Sequence, residues 1–138
     1  MATWLDGTSG SRTASTLEGM FAYQIAPFSF SGPLVVVTGT SRFRFPLAVT
    51  LVAVSAAVTT APTGASILVD VNKNGTTIYT TQANRPAIAV STNAGAETTP
   101  DVTAIAAGDY LTVDVDQVGS TIAGADLSVF VRYRYPSP

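Results

Sequence analysis

The chain has neither cysteine nor histidine among its 138 residues. Without cysteine there is no disulfide framework, no thiolate zinc site and no Cys nucleophile. Without histidine there is no Ser-His-Asp triad, no imidazole acid–base group and no His-ligated metal. Charge is scarce as well: seven Lys+Arg and nine Asp+Glu make up 12% of the chain and leave a net −2, against roughly one quarter charged residues in ordinary soluble domains. Lys73 is the single lysine, so the clustered cations that hold a polyanion are missing and nucleic acid is excluded as a partner. Long apolar runs are absent too. The longest, Pro46 to Val58, is interrupted by Thr50 and Ser55 and is too short to cross a bilayer. Met1 to Gly10 has neither the basic start nor the apolar segment of a secretory signal. These absences leave the expectation of a soluble, non-enzymatic protein that needs no cofactor or metal and engages neither nucleic acid nor membrane.

What is present is material for a core. Hydrophobic residues reach 46%, enough for a folded domain, and the length suits one domain with one core. Thr, Ala and Val dominate, with Gly and Pro between short apolar runs, which is the composition of pleated strands joined by turns. Met20 to Ile25 reads as a first strand ended by Pro27, Leu34 to Thr38 as a second, and Arg42 to Phe45 as a third with Phe43 and Phe45 on one face. Leu47 to Val58 is apolar on both faces, which suits a strand covered on both sides or a buried helix; its χ1-stiff valines and the turn-forming run Thr59 to Gly64 favour the strand.

The plainest local signal is Ser66 to Thr81, where two β-branched runs flank Asn74-Gly75. That dipeptide suits a type I′ turn, which needs positive φ at both central residues. The resulting register pairs Lys73 with Thr76 and Val71 with Ile78. It places Ile67, Val69, Val71, Ile78 and Thr80 on one face and Asp70 and Tyr79 on the other. A short strand around Ala87 to Val90 precedes a loop over Ser91 to Pro100. Tyr110 to Val118 then points Leu111, Val113 and Val115 inward and Thr112, Asp114 and Asp116 outward, and Gly119 to Asp126 is turn-rich. Leu127 to Tyr135 points Leu127, Val129, Val131 and Tyr133 inward and Phe130, Arg132 and Arg134 outward. About eight short strands predict an all-β fold, a two-sheet antiparallel β-sandwich of the jelly-roll kind. Residues 20–138 form the sandwich domain and residues 1–19, rich in Thr, Ser and Gly, form an extended N-terminal arm.

Candidate sites follow from residue chemistry. Asp70-Val71-Asn72-Lys73-Asn74-Gly75 matches the first half of a calcium loop, but the twelfth position is Thr81 where a bidentate Glu is required. The hairpin accounts for the same residues. Asn74-Gly75-Thr76 is a formal glycosylation sequon, which the turn also explains. Asp114 and Asp116 share a strand face rather than flanking a cleft, which argues against paired-carboxylate catalysis. Phe130 is the informative residue: an outward ring beside Arg132 and Arg134 suits an interface, which buries the ring and uses the guanidinium groups. With Trp4 and Leu5 of the arm, these three are the interface candidates.

Two stretches carry a family resemblance. Ala61-Pro62-Thr63-Gly64-Ala65-Ser66 with the following Ile67 to Tyr79, and Ile105-Ala106-Ala107-Gly108-Asp109-Tyr110 continuing to Ser120 and Gly124-Ala125-Asp126-Leu127, resemble segments of tailed-bacteriophage structural proteins. The likeness spans roughly residues 47–135. It implies a β-sandwich module of a virion, without catalytic residues, that associates with itself as a homotrimer. Its partner would be the major capsid protein, which it decorates, or tail proteins, and its location the capsid surface or tail. The alternative it implies is a tail-fibre or receptor-binding knob, or a carbohydrate-binding module, that takes a host-surface glycan through Tyr110, Asp114 and Asp116.

Overall fold

Alternating inward apolar residues organise two sheets in the computed structural model, which describes residues 23–136. The extended arm read at residues 1–19, with Trp4 and Leu5, and the first residues of the strand read from Met20 lie outside the described residues. The strands are β1 (Tyr23–Pro33), β2 (Phe43–Arg44), β3 (Val49–Ala57), β4 (Ile67–Lys73), β5 (Thr76–Thr77), β6 (Ala87–Ile88), β7 (Ala104–Ile105), β8 (Tyr110–Gln117) and β9 (Ala125–Arg134). One sheet has the order β1-β9-β3-β7 and the other β2-β8-β4-β5, with β6 also on β4. Pairing is antiparallel throughout. The fold is the expected all-β two-sheet sandwich. Each passage from β1 to β4 changes sheet, as do those from β6 to β9, so the chain winds around the core.

The inner faces meet as the alternation requires. Leu127, Val129 and Val131 of β9 are fully buried against Ile67, Val69 and Val71 of β4 and Leu111, Val113 and Val115 of β8. Each such side chain contributes on the order of 1.5–3 kcal/mol by leaving water. One end is closed by aromatic rings: Tyr133 meets Phe45 edge-on with centroids 5.0 Å apart, and Phe43 lies 5.1 Å from Phe45.

The Asn74-Gly75 hairpin forms in the expected register. Asn74 has φ 50° and Gly75 φ 87°, Lys73 pairs with Thr76, and the Ile78 N–H donates to the Val71 carbonyl at 2.9 Å. The second arm departs from its ladder after Thr77, however, and two side chains change places with respect to the expected faces. Tyr79 turns inward and is fully buried, its hydroxyl 2.8 Å from Thr98 Oγ1, while Thr80 is exposed. The reason is volume: a ring outweighs a threonine in core burial once the ladder no longer dictates phase.

Other expectations are corrected. β1 continues through Pro27 to Pro33 instead of ending before it. It is the edge of its sheet, where a residue without an N–H is tolerated. Leu34 to Thr38 is not a strand; it touches β8 through a single bridge, Val37 to Val115, and Val35 and Val36 are exposed. β3 is a strand, but its apolar look on both faces comes from a bulge between Leu51 and Ala53. The extra residue shifts the inward set from Val49 and Leu51 to Val54 and Ala56. The stretch Ser91 to Pro100 runs along β3 and guards its side, with Thr98 and Val54 exchanging both backbone hydrogen bonds. Thr112, expected outward, is buried.

Candidate functional site

β9 lies between β1 and β3 and is paired with both from Ser128 to Arg134, so the outward side chains of that stretch stand on a strand laddered on each side. Phe130 is 40% exposed there, directly between Pro27 of β1 and Ser55 of β3. The small Ser55 leaves the ring standing above its surroundings. Ile25, at 56% exposure, and Tyr23, at 54%, extend the apolar surface along β1 opposite Arg132 and Arg134. Arg132 donates to Glu97 Oε1 at 2.9 Å and holds its guanidinium 5.5 Å from the Tyr23 ring centroid. That pair is half in solvent and contributes at most about 1 kcal/mol. Arg132 Nε is buried and has no acceptor among the described residues. Arg134 is exposed and makes neither of the two ion pairs found among the described residues.

The opposite end of β9 carries a residue that the sequence pattern does not single out. Asp126 is exposed there, with a positive φ of 57°. Its carboxylate accepts from the Gly32 N–H at 2.7 Å and from the Thr59 hydroxyl at 2.8 Å. These bonds, the Gly32 amide first, hold its pKa below the usual carboxylate value. The turn-rich stretch Gly119 to Asp126 hides it, because an Asp at the end of such a stretch is ordinary turn chemistry.

The outer face of the second sheet carries the other candidates. Asp114 accepts from the Gly39 N–H and from Asn72 Nδ2, both at 2.8 Å. Asp116 is ion-paired with Arg85. Tyr110 lies under Arg42, whose guanidinium carbon stands 4.2 Å from the ring centroid. The structure therefore brings Tyr110 and Asp114 to one shallow depression of about 250 Å³ together with Asn72, and leaves Asp116 outside it. Each carboxylate there already anchors part of the fold. The same holds for the calcium-like run: Asp70 accepts from the Thr77 hydroxyl at 2.7 Å and the Val71 N–H at 2.8 Å. Asn74 uses its amide on Asp109 Oδ1 and its oxygen on the Tyr110 N–H. Burial pushes the Asp70 carboxyl above its ordinary pKa, opposed by those hydrogen bonds.

A larger cleft of about 540 Å³ opens between the edge of β1 and the segment 35–43, with Phe28, Phe30, Val35, Val37 and Phe43 on its walls. The sequence pattern conceals it, because Leu34 to Thr38 has the residues of a strand. The available signal is the unbroken Leu34-Val35-Val36-Val37 run without a polar alternate. Chemically, then, the molecule offers an aromatic and cationic face on one sheet, a self-bonded polar face on the other, and an apolar cleft at their shared edge. No protein-family model matches the chain, and no curated protein matches it.

Proposed function

We propose that this chain is a non-enzymatic structural protein of a tailed-phage virion, a capsid decoration protein that associates with copies of itself and docks on the shell through its N-terminal arm. The observation that supports the reading is the face of β1 and β9, where Phe130, Ile25 and Tyr23 are exposed among the described residues. Exposed aromatic and aliphatic side chains beside arginines are the composition of a protein interface core. Two further considerations support it. A chain that passes repeatedly between two antiparallel sheets is compatible with a jelly roll, an architecture used in viral capsids as well as lectins. Residues 47–135 also resemble phage structural modules, which implies three copies at a symmetric site of the shell.

The second reading, a tail-fibre knob that binds a host glycan, draws on the depression beside Tyr110 and Asp114. Arg42 already covers the Tyr110 ring, which leaves less aromatic surface for a sugar, so decoration is preferred. Immunolabelling of purified virions tests both. Label on the heads, with shells that lose thermal stability when the gene is deleted, is the expected result. Label on the tail, with a glycan-array signal lost in Tyr110→Ala, would transfer the function to the second reading.

A further inference from the structure

The outward residues of β9 form a pattern centred on Phe130. Asp126 lies four residues before it and Arg134 four residues after, each about 13 Å away along the strand. Both are exposed, and neither has a partner of opposite charge among the described residues: Asp126 accepts only from Gly32 and Thr59, and the ion pairs present are Arg85 with Asp116 and Arg132 with Glu97. A strand with an acid at one end, a base at the other and an aromatic ring midway is complementary to its own reverse. We propose that two copies of this chain pack outer face to outer face about a two-fold axis that crosses β9 over Phe130, so that Asp126 of each copy meets Arg134 of the other.

Under this axis the Phe130 rings of the two copies meet, Ser128 faces Arg132, and the two Asp126–Arg134 pairs close the contact at both ends. Ile25 of β1 then lies over Ser29 of the second copy, since Pro27 pairs with Phe130 and sits on the axis. A small residue opposite a large one is what interdigitation needs. Face packing is also favoured over edge addition. Among the described residues β1 is the edge of its sheet, and Pro27 at its middle has no N–H to offer an added strand. The contact has small dimensions, roughly 27 Å along β9 and about 15 Å across three strands, which is about 400 Å² per copy and lies in the range of weak, transient contacts. A pair that dissociates on dilution and weakens with salt is therefore expected.

The inference rests on the self-association in the proposed function and replaces the threefold arrangement of the resemblance with an isologous pair as the basic contact. The test is the solution mass of the full chain at tens of micromolar and low ionic strength. The wild type reaches twice the 14.2 kDa chain mass, whereas Arg134→Asp and Asp126→Arg are each monomeric. Their equimolar mixture regains the dimer, because each acid then faces a base at both ends. A mixture of folded variants that stays monomeric, or a wild type that is monomeric or trimeric, overturns the proposal. Should Asp126→Arg fail to fold through loss of the Gly32 and Thr59 bonds, Asp126→Asn keeps an acceptor oxygen and tolerates positive φ. It is expected to weaken dimerisation about tenfold alone and to add little to Arg134→Ala; additive losses would refute the pairing. Virion labelling is independent of this outcome: a dimer absent from virions sinks the proposed function alone, and labelled heads with no regained dimer sink this contact alone.

Discussion

Asp70 and Gly39 show how single residues secure the second sheet. The Asp70 carboxyl is buried and its pKa is raised mainly by that burial, so the folded state holds its proton more tightly than the unfolded chain. Stability from this group is present below the unfolded pKa and is lost as pH rises through the folded one. Asp70→Asn, which still accepts from Thr77 and Val71, should therefore raise the neutral-pH melting temperature while leaving the acid-side value nearly unchanged. Thermal unfolding at pH 3 and pH 7 checks this; an equal shift at both would contradict it. Gly39 is a matter of space. A Cβ there would stand 1.8 Å from the Val113 carbonyl oxygen, a backbone atom of β8 that cannot move alone. Gly39→Ala should cost about 1–3 kcal/mol in denaturant unfolding, and should also detach the Gly39–Asp114 bond and reshape the depression beside Tyr110. A neutral substitution would show that the segment is looser than this close approach implies.

At the scale of elements, the hairpin is the most sharply specified piece. Asn74 and Gly75 both hold positive φ, and nothing lies within 4 Å of a Cβ placed on Gly75. Gly75→Ala is therefore penalised by backbone conformation alone, by about 1–2 kcal/mol. A larger loss measured by chemical denaturation would mean that the turn carries contacts beyond its own dihedrals. The elements legible in the sequence are those whose ladder and burial agree: β9 alternates cleanly, and β4 with its turn and β8 place their apolar sets in the core as expected, although Asp70 and Thr112 on their other faces are buried as well. Legibility failed where a nonlocal partner set the phase. The β3 bulge is invisible without β9 opposite it, β1 passes Pro27 only because it is an edge, and Tyr79 obeys core volume rather than its strand. The site divides in the same way. Phe130, Arg132 and Arg134 follow from alternation, whereas Asp126 and the cleft beside Phe28 depend on where turns bring distant segments.

For the whole molecule, the scarcity of charge concentrates pH sensitivity in few groups. Asp101, Asp109 and Asp126 have pKa values lowered by hydrogen bonds from the Thr81 N–H, the Asn74 amide and the Gly32 N–H respectively. Their stabilisation is present above the unfolded carboxylate pKa and is lost as pH falls through the folded values. Acid destabilisation should accordingly set in as pH falls through the ordinary Asp range and continue below it, first in the loops that these residues tie, as read by hydrogen exchange at the Gly32, Thr81 and Ala106 amides. Uniform exchange across both sheets at that pH would count against it. Among the described residues, the face of β1 and β9 also exposes Tyr23, Ile25 and Phe130 side by side. In the proposed function that surface is covered by assembly on a virus particle. The most direct measurement is cryo-electron microscopy of virions assembled with the full chain. Density for the two-sheet sandwich on the outside of the head, with the β1 and β9 face buried against another copy, is the expected result. Particles whose purified heads and tails both lack this chain would contradict it.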